Sequence, residues 1–440
     1  MKEFFPLAAK MREMKSYKGN TEKFVFAWER ENGCAYRFEM PVPVDRAGDP
    51  DVIRLAERAV KFALWAAGGK ILHLSGPAEI RSAVKKAYSA GGARDFDRDM
   101  MLKSYGEEME IRECEAKDVP ETKDSAGGAG VSWDGCRIGF DLGASDFKIA
   151  AVQDGEVKFS EEFPWDPRNA TDPSYHVGKL DQGLREAAKH LPRVDAIGGS
   201  TAGIVVDNHI RVASLLRAVS VAKYAEAQAM FKTIEKMWGV PVHVENDGDV
   251  TALAAYLSQG TKAVLGVAMG SSEAAGYLDR KGSITGRLNE LAFAPVDFAA
   301  SAPADEWSAD IGVGAMYFSQ QAVNYLACRL GMKFPDEMKL PERLVEVQKK
   351  MAADDPAASA LYETIGYHLG HSVAWYREFY DYDHLLILGR VTTGRGGEII
   401  LDTARRTLAE FYPEVSGVSI SMPDEKSKRL GQAVAAAALR

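Results

Sequence analysis

Hydrophobic and polar residues alternate over residues 23–41, in the two runs KFVFAWERE and CAYRFEMPV. Alternation of this kind is typical of strands that have one buried face. Asn32 and Gly33 lie between the runs, and an Asn-Gly pair accepts the positive φ angles of a tight turn. The pattern therefore predicts a β-hairpin near the start of the chain.

A helical repeat follows the hairpin. Apolar residues recur at helical spacing over residues 53–64, and Asp49 or Asp51 can cap this helix. A strand in KILHLS and a second helix over about 77–89 come next. Residues 1–117 are therefore predicted to form a small α+β domain.

The chain changes character after this region. Residues 118–133 are rich in small, polar and flexible residues, which predicts a linker. Three strands follow in CRIGFDLGASDFKIAAVQDGEVKFSEEF, with Asp154-Gly155 as a turn, and helices then alternate with the strands VDAIGGST and VPVHVEN. This order predicts an α/β lobe over residues 134–260.

A second α/β lobe is predicted over residues 261–440. It begins with strands in AVLGVAMG and AAGYLDRKGSIT. Helices are expected at about 314–330 and 357–376, followed by the strand HLLILG and a helix near 398–410.

Composition narrows the class of protein. The 440 residues are 46% hydrophobic and 27% charged, as in ordinary globular chains, and they carry a net charge of -9. This charge gives no general attraction to nucleic acid, so no nucleic-acid partner is expected. No run approaches the apolar length of a membrane helix, so no membrane partner is expected either. The dispersed cysteines, without metal-binding spacing, fit a reducing cytoplasm; they are Cys34, Cys114, Cys136 and Cys328.

Two stretches carry candidate chemistry. In the first, the strand IGFDLGASDFK leads into Asp141, Gly143 and Ser145. A glycine-bearing turn lets backbone N–H groups approach phosphate, and a carboxylate at a strand end can hold hydrated Mg²⁺. The alternative is a plain hairpin whose polar side chains satisfy turn amides.

The second stretch is PVHVENDGD, which delivers Asn246 and Asp247 to the start of the helix VTALAAYL. An aspartate there can accept a proton from a substrate hydroxyl, and an asparagine can hold neighbouring hydroxyls. The alternative is helix capping, and Asp249 can do the same.

Together, in this order and about 100 residues apart, these stretches resemble the ROK family, which comprises repressors, open reading frames and kinases. The family lies within the superfamily of acetate and sugar kinases, heat-shock ATPases and actin. The resemblance covers about residues 137–440. It implies a two-lobed actin-like ATPase (ribonuclease H-like) α/β fold, preceded here by the small α+β domain. It also favours a homodimer.

The resemblance implies an ATP-dependent sugar kinase. Asp247 falls on the family's general base and Asp141 on its Mg²⁺ position. Sugar contacts fall on Gly203, Asn246, Glu290 and Phe293. Nucleotide contacts fall on Gly143, Ala144, Ser145, Lys148, Gly270, Ser271, Ser272, Gly389, Arg390 and Gly394.

Several positions depart from the family pattern. Phe293 replaces a sugar-binding histidine, with a plain core role as its alternative. The second phosphate loop keeps one glycine, Gly270, and places Glu273 where a phosphate would lie and be repelled. Arg390 stands where a small glycine is usual, so it would either block the base or supply a cation to the phosphates. The family's cysteine-rich stretch is missing, so no structural zinc is expected.

Three functions are therefore compared. The first is phosphorylation of a sugar hydroxyl by ATP. The second is a degenerate kinase fold that binds a sugar-like ligand or partner without catalysis, as Met269, Glu273 and Arg390 suggest. The third is a sugar-responsive transcriptional repressor, which the mixed charge and the opening hairpin of residues 1–130 disfavour.

Overall fold

The computed structural model describes residues 4–124, 130–143, 146–423 and 425–440, with the backbone alone over 425–430. Within these ranges, no helix is long and apolar enough to cross a membrane.

The N-terminal region is a four-stranded sheet with helices against it. The sheet order is β2-β1-β3-β4, and β4 is parallel to its neighbour β3. Its elements are α1 (Leu7–Lys15), β1 (Thr21–Glu29), β2 (Ala35–Pro43), α2 (Pro50–Ala67), β3 (Ile71–Ser75), α3 (Ala78–Ala87), α4 (Asp95–Tyr105) and β4 (Glu110–Glu113).

The predicted hairpin and the helix after it are confirmed. Asn32 and Gly33 have φ angles of 56° and 67° in the β1–β2 connection. Asp49 caps α2 by accepting a hydrogen bond from the backbone N–H of Asp51. Helices α1 and α4 were not predicted, since their charged residues interrupt the apolar repeat.

The N-terminal region shares one apolar core with the C-terminal lobe. Phe62 of α2 lies 4.2 Å, between ring centroids, from Phe379, and Phe38 of β2 stacks on the same ring at 4.6 Å. Because aromatic faces from both regions are buried against each other, the two regions pack as one body.

The described parts of the expected linker are held in place. Lys123 pairs with Ala35, and the Asp124 carboxylate lies 3.2 Å from Arg30 and 2.9 Å from Arg287. Further along, Val131 pairs with Leu439. Residues 125–129 lie outside the described residues.

The first α/β lobe has a five-stranded sheet of order β11-β8-β5-β6-β7, in which β11, β8 and β5 are parallel. Its elements are β5 (Cys136–Leu142), β6 (Asp146–Gln153), β7 (Glu156–Pro164), α5 (Pro173–Ala188), β8 (Ala196–Thr201), β9 (Ile204–Val206), β10 (His209–Val212), α6 (Val221–Gln228), α7 (Met230–Trp238), β11 (Val242–Asn246) and α8 (Asp247–Gln259). The three predicted strands and the Asp154-Gly155 turn are present.

The C-terminal lobe has a four-stranded sheet of order β13-β12-β14-β15. Its elements are β12 (Val264–Met269), β13 (Glu273–Leu278), α9 (Gln320–Arg329), α10 (Leu340–Ala352), α11 (Pro356–Tyr376), β14 (His384–Leu388), α12 (Arg395–Phe411), β15 (Ser419–Ser421) and α13 (Glu425–Ala437).

One predicted helix boundary in this lobe is wrong. The helix expected from residue 314 begins at Gln320, because the Ser319 hydroxyl caps it by accepting from the Gln321 N–H. Residues 314–316 form a separate short 3-10 turn. Helix α10 was not predicted.

Helix α13 joins the two lobes. It bends at Gly431, whose φ is 70°, and its second half packs on β5, β8 and α8. Gly139 and Gly198 make this approach possible, because a Cβ at either position would overlap the α13 backbone. The helix therefore lies where the lobes meet.

Candidate functional site

The parallel strands of the first lobe end at one edge of the sheet, and the candidate carboxylates lie at that edge. Asp141 is the sixth residue of β5 and pairs in register with Ser200 of β8. The Ser200 hydroxyl donates to Asp141 Oδ1 at 2.8 Å. Burial raises the pKa of Asp141, although the Ser200 hydrogen bond and Lys148 act in the opposite direction.

Asp247 is the first residue of α8, directly after β11. Its backbone carbonyl is fixed by the Thr251 hydroxyl at 2.8 Å and by Gln432 Nε2 at 3.0 Å. No side chain among the described residues donates a hydrogen bond to its carboxyl group. Burial, reinforced by the charge of Asp141, raises its pKa to about 7.

Asp141 and Asp247 face a common cavity of about 410 Å³ between the two lobes. The walls nearest to them come from β6, α8, β12 and β13, and they include Lys148, Thr251, Ala268 and Ala274. Lys148 lines the cavity and is half exposed, so its ammonium can reach an anion there. The Glu162 carboxylate lies 4.0 Å from this ammonium.

Asn246 is the N-cap of α8, as the alternative of helix capping predicts. Its Oδ1 accepts from the Gly248 N–H at 2.8 Å, and its Nδ2 donates to the Gly203 carbonyl at 2.8 Å. Asp249 is not the cap. Its buried carboxyl accepts from the backbone N–H of Tyr277 and from Asn289 Nδ2, each at 2.9 Å.

A second cavity of about 300 Å³ lies on the other side of the Asn246-Asp247 step. Gly203 and Asn246, both predicted sugar contacts, line it. Its outer side is formed by N-terminal residues, namely Arg30, Glu31, Asn32, Cys34 and Tyr105. No sequence pattern marked these residues as part of a site, because the resemblance begins only near residue 137.

In the segment 289–293, Glu290 lies near Asp247 without lining either cavity, and its neighbours belong to the core. Glu290 is half buried, and burial together with the charge of Asp247 raises its pKa to about 7. Asn289 has a φ of 53°, and its Oδ1 accepts from the Tyr380 hydroxyl at 3.0 Å. Asparagine tolerates this left-handed conformation.

The expectation for Phe293 is corrected. Phe293 is 5% exposed and packs in an aromatic cluster, with ring centroids 4.6 Å from Trp65, 5.2 Å from Phe96 and 5.3 Å from Trp307. It lines neither cavity. Its role is to join the N-terminal region to the C-terminal lobe.

The expectation for Glu273 is also corrected. Its carboxyl is buried inside the C-terminal lobe, where Oε1 accepts from the Tyr376 hydroxyl at 3.3 Å. Burial raises its pKa to about 8, so the group is largely protonated at neutral pH. It therefore neither occupies a phosphate position nor repels one.

The predicted phosphate loops are short turns. Gly270 donates its N–H to the Ser272 carbonyl at 2.9 Å, and Ser271 and Ser272 are exposed. Gly143 donates to the Asp146 carbonyl at 3.0 Å in the β5–β6 turn. Ala144 and Ser145 lie outside the described residues.

The predicted adenosine-side residues surround the start of α12. Gly389 has a φ of 100° and lies against the backbone of Met269, so no side chain fits there. Gly394, with a φ of 68°, precedes the first residue of α12. The side chain of Arg390 is exposed, while its carbonyl accepts from Gln348 Nε2 at 2.9 Å.

The residues of the cleft fit a hydrated Mg²⁺ ion. The described part of the chain has no group of three or more His, Cys, Asp or Glu side chains that could hold a metal. Mg²⁺ usually keeps several waters and binds through one or two carboxylates plus substrate phosphates. Asp141, with one carboxyl oxygen unengaged by Ser200, provides such a ligand.

Comparison with known proteins places the fold. No protein-family model and no curated protein sequence matches the chain. A ROK hexokinase from Thermus thermophilus aligns with a TM-score of 0.52 and 18% identity, over 68% of this chain and 97% of the hexokinase. A ROK family glucokinase from Streptomyces griseus, solved with glucose and AMPPNP, aligns with a TM-score of 0.50 and 18% identity, over 69% and 98% of the two chains.

A ROK family transcriptional regulator, a homologue of the E. coli MLC protein, aligns with a TM-score of 0.54 and 19% identity, over 69% of this chain and 78% of the regulator. Identities this low concern the fold and not the activity. The predicted two-lobed actin-like ATPase fold is confirmed, and the chain has the fold that ROK sugar kinases share with a ROK transcriptional regulator.

Proposed function

We propose that the chain transfers a phosphoryl group from ATP to a hydroxyl of a sugar or sugar derivative. The observation that carries the proposal is the position of Asp247. It lies at the step between two cavities, and its carboxyl group has neither a cation nor a hydrogen-bonding side chain beside it among the described residues.

In this proposal Asp247 is the general base. A carboxylate with a pKa near 7 is a better proton acceptor than one near its ordinary value of 3.8, and about half of it is ionised at neutral pH. It takes the proton of the attacking hydroxyl as the new oxygen–phosphorus bond forms and the bond to the departing nucleoside diphosphate breaks.

The remaining proposed residues bind and orient the metal, the nucleotide and the sugar. Asp141 would hold Mg²⁺. Bound ATP would supply the phosphoryl group, and the Mg²⁺ would neutralise the negative charge of its phosphates. Glu290 would accept a hydrogen bond from a sugar hydroxyl, while Gly203 and Asn246 shape the sugar cavity. The phosphate and adenosine contacts proposed are Gly143, Ala144, Ser145, Lys148, Gly270, Ser271, Ser272, Gly389, Arg390 and Gly394.

A second candidate is a kinase fold that binds a sugar without catalysis. It is favoured by the exposed Gly270–Ser272 turn, whose one glycine already donates its N–H to the Ser272 carbonyl and so does not offer it to a phosphate. The repressor alternative has less support, because the N-terminal region is a four-stranded sheet packed into the C-terminal lobe.

The test is turnover of Mg·ATP with a panel of neutral monosaccharides, measured as nucleoside diphosphate release that depends on the sugar. We expect wild-type turnover, and a loss of about 10²- to 10⁴-fold in kcat for Asp247→Asn. The matched control is Asp402→Asn, an exposed aspartate of α12, which should keep wild-type turnover.

Nucleotide binding is measured by calorimetry on the same samples. Binding of Mg·ATP without turnover for any sugar would support the non-catalytic candidate. Equal turnover by wild type and Asp247→Asn would remove Asp247 from its role.

A further inference from the structure

The sugar-side cavity has a wall that the kinase-like lobes do not supply. Glu31 and Asn32 come from the β1–β2 loop, and Tyr105 is the last residue of α4. These residues face Gly203, Asp207 and other residues of the first lobe across the cavity. The N-terminal region is therefore part of the site itself.

This wall is fixed on both sides. The shared aromatic core holds the N-terminal region on the C-terminal lobe. On the opposite side, Ile204 of β9 is 5% exposed and belongs to the same core, while α4 packs beside the β9–β10 hairpin. The carboxyl groups of Glu31 and Asp207 lie close together at this contact, and burial, reinforced by the charge of Asp207, raises the pKa of Glu31. The wall consequently has little freedom to withdraw for a larger ligand.

Acidic side chains outnumber cationic ones around the cavity. The cationic side chains are Arg30, Lys232 and Arg287, and the acidic ones are Glu31, Asp207, Glu245 and Asp249. Asp124 behind the cavity pairs with both arginines. Glu245 lies 2.7 Å from His243, and burial raises the pKa of Asp249 well above its ordinary value. The three cations are already paired with carboxylates, whereas Glu31 and Asp207 form no salt bridge among the described residues, so a ligand entering the cavity meets acidic and neutral hydrogen-bonding groups.

We propose that the N-terminal wall, made of Glu31, Asn32 and Tyr105, determines specificity at this site by admitting a neutral, monosaccharide-sized polyol and excluding sugar acids and disaccharides. This rests on the proposed sugar-kinase function. Carboxylate, amide and phenol groups suit hydroxyl hydrogen bonds, and a cavity of about 300 Å³ with a fixed wall on its outer side has room for one sugar ring.

The test is calorimetric binding without nucleotide. The probes are glucose, mannose, galactose, N-acetylglucosamine and N-acetylmannosamine as neutral monosaccharides, glucuronate and galacturonate as sugar acids, and maltose as a disaccharide. We expect at least one neutral monosaccharide to bind wild type more than tenfold tighter than every acid and than maltose.

The wall is then altered. Glu31→Gln combined with Asn32→Gly keeps the positive φ at position 32 but removes a carboxylate and an amide. We expect it to weaken the preferred monosaccharide about tenfold and to narrow its advantage over maltose. Tyr105→Phe, which removes one hydroxyl and keeps the ring, is the second variant and should weaken binding less. Glu22→Gln, at an exposed position of β1 outside the cavity, is the matched control and should bind like wild type.

The outcomes separate the two proposals when the same titrations are repeated in Asp247→Asn. Wall-dependent binding without turnover in wild type supports the wall and contradicts the kinase function. Turnover that neither wall variant changes in KM or in sugar preference overturns the wall and leaves the kinase function standing. Binding of no sugar, or equal binding of acids or maltose by wild type, also overturns the wall proposal.

Discussion

Two regions of this molecule bury acidic side chains, and they treat them in opposite ways. The first is an ion network between α2, α4 and the loop before α9. Its members are Glu57, Arg58, Lys61, Arg94, Asp97 and Asp310. The second is the cleft, where the acidic residues are Asp141, Asp247 and Glu290.

In the network every carboxylate has cations beside it. The Lys61 ammonium lies 2.8 Å from Asp97 and 3.1 Å from Asp310, and both Arg58 and Arg94 lie 2.8 Å from Asp310. Burial alone would raise the pKa of Asp310, but these cations lower it far below its ordinary value.

In the cleft, no cation among the described residues compensates the burial of Asp247 or Glu290, and only backbone hydrogen bonds from Asp247 and Gly248 act against it at Asp247. The pKa values of Asp247 and Glu290 both rise to about 7, and the neighbouring carboxylates add to the effect of burial. A buried carboxylate that is paired with cations stabilises the fold, whereas one without a cation is available to bind a proton or a metal ion. The comparison therefore distinguishes structural acids from candidate chemical ones.

The largest expected effect on stability lies in the network. Asp310→Ala leaves Arg58, Lys61 and Arg94 short of a partner in a buried setting, so we expect it to lower the free energy of unfolding by about 3–5 kcal/mol. Urea denaturation measures this change. The matched control is Asp381→Ala, which removes an exposed partner of Arg280 and should cost much less. Equal losses in the two variants would contradict the distinction.

Ionisation of Asp247 in the cleft should destabilise the folded state, whereas ionisation of Asp310 in the network should stabilise it. The pKa of Asp247 is about 7 in the folded chain, against an ordinary 3.8, so between these values the folded state holds a proton that the unfolded state has released. Its contribution to stability therefore falls as pH rises from about 4 to about 7. Asp247→Asn cannot ionise.

We expect Asp247→Asn to gain stability relative to wild type as pH rises through this window. The measurement is the difference in urea midpoint at several pH values, with Asp402→Asn as a control whose difference stays flat. A difference that shrinks with rising pH would show that Asp247 is stabilised as a carboxylate.

A smaller effect is expected where a buried acid has neutral partners. Asn289 donates to Asp249 and accepts from Tyr380. Asn289→Gly keeps the positive φ but removes both bonds, so we expect a loss of about 1–2 kcal/mol in the free energy of unfolding. Ala309→Gly, at an exposed position with a φ of 55°, controls for the backbone change. No loss in Asn289→Gly would mean that Asp249 finds other donors.

Sequence patterns located the local structure well where one feature decides it. Turn chemistry, capping and alternation predict the Asn32-Gly33 turn, the Asp49 cap and the strands that contain Asp141 and Asn246. These features depend on a few neighbouring residues, so a single sequence is enough to predict them.

The errors concern contacts between distant segments. Phe293 could be a ligand contact or a core side chain from its sequence, and Trp65 and Phe96 from a different region decide for the core. The Glu273 side chain points into the core, where its hydrogen-bond partner is Tyr376, about 100 residues away in the sequence. The wall at Glu31 depends on how the N-terminal region docks, which local patterns do not encode.

The Asp247 carboxyl is buried with no cation beside it among the described residues, and the titration of this carboxyl group is the most direct test of that claim. Aspartate labelled at the side-chain carboxyl is incorporated, and the resonance missing from Asp247→Asn is followed against pH by NMR. We predict a midpoint of about 7 for that resonance in wild type without ligands. A midpoint below about 5, the range of an ordinary carboxyl, would contradict the account.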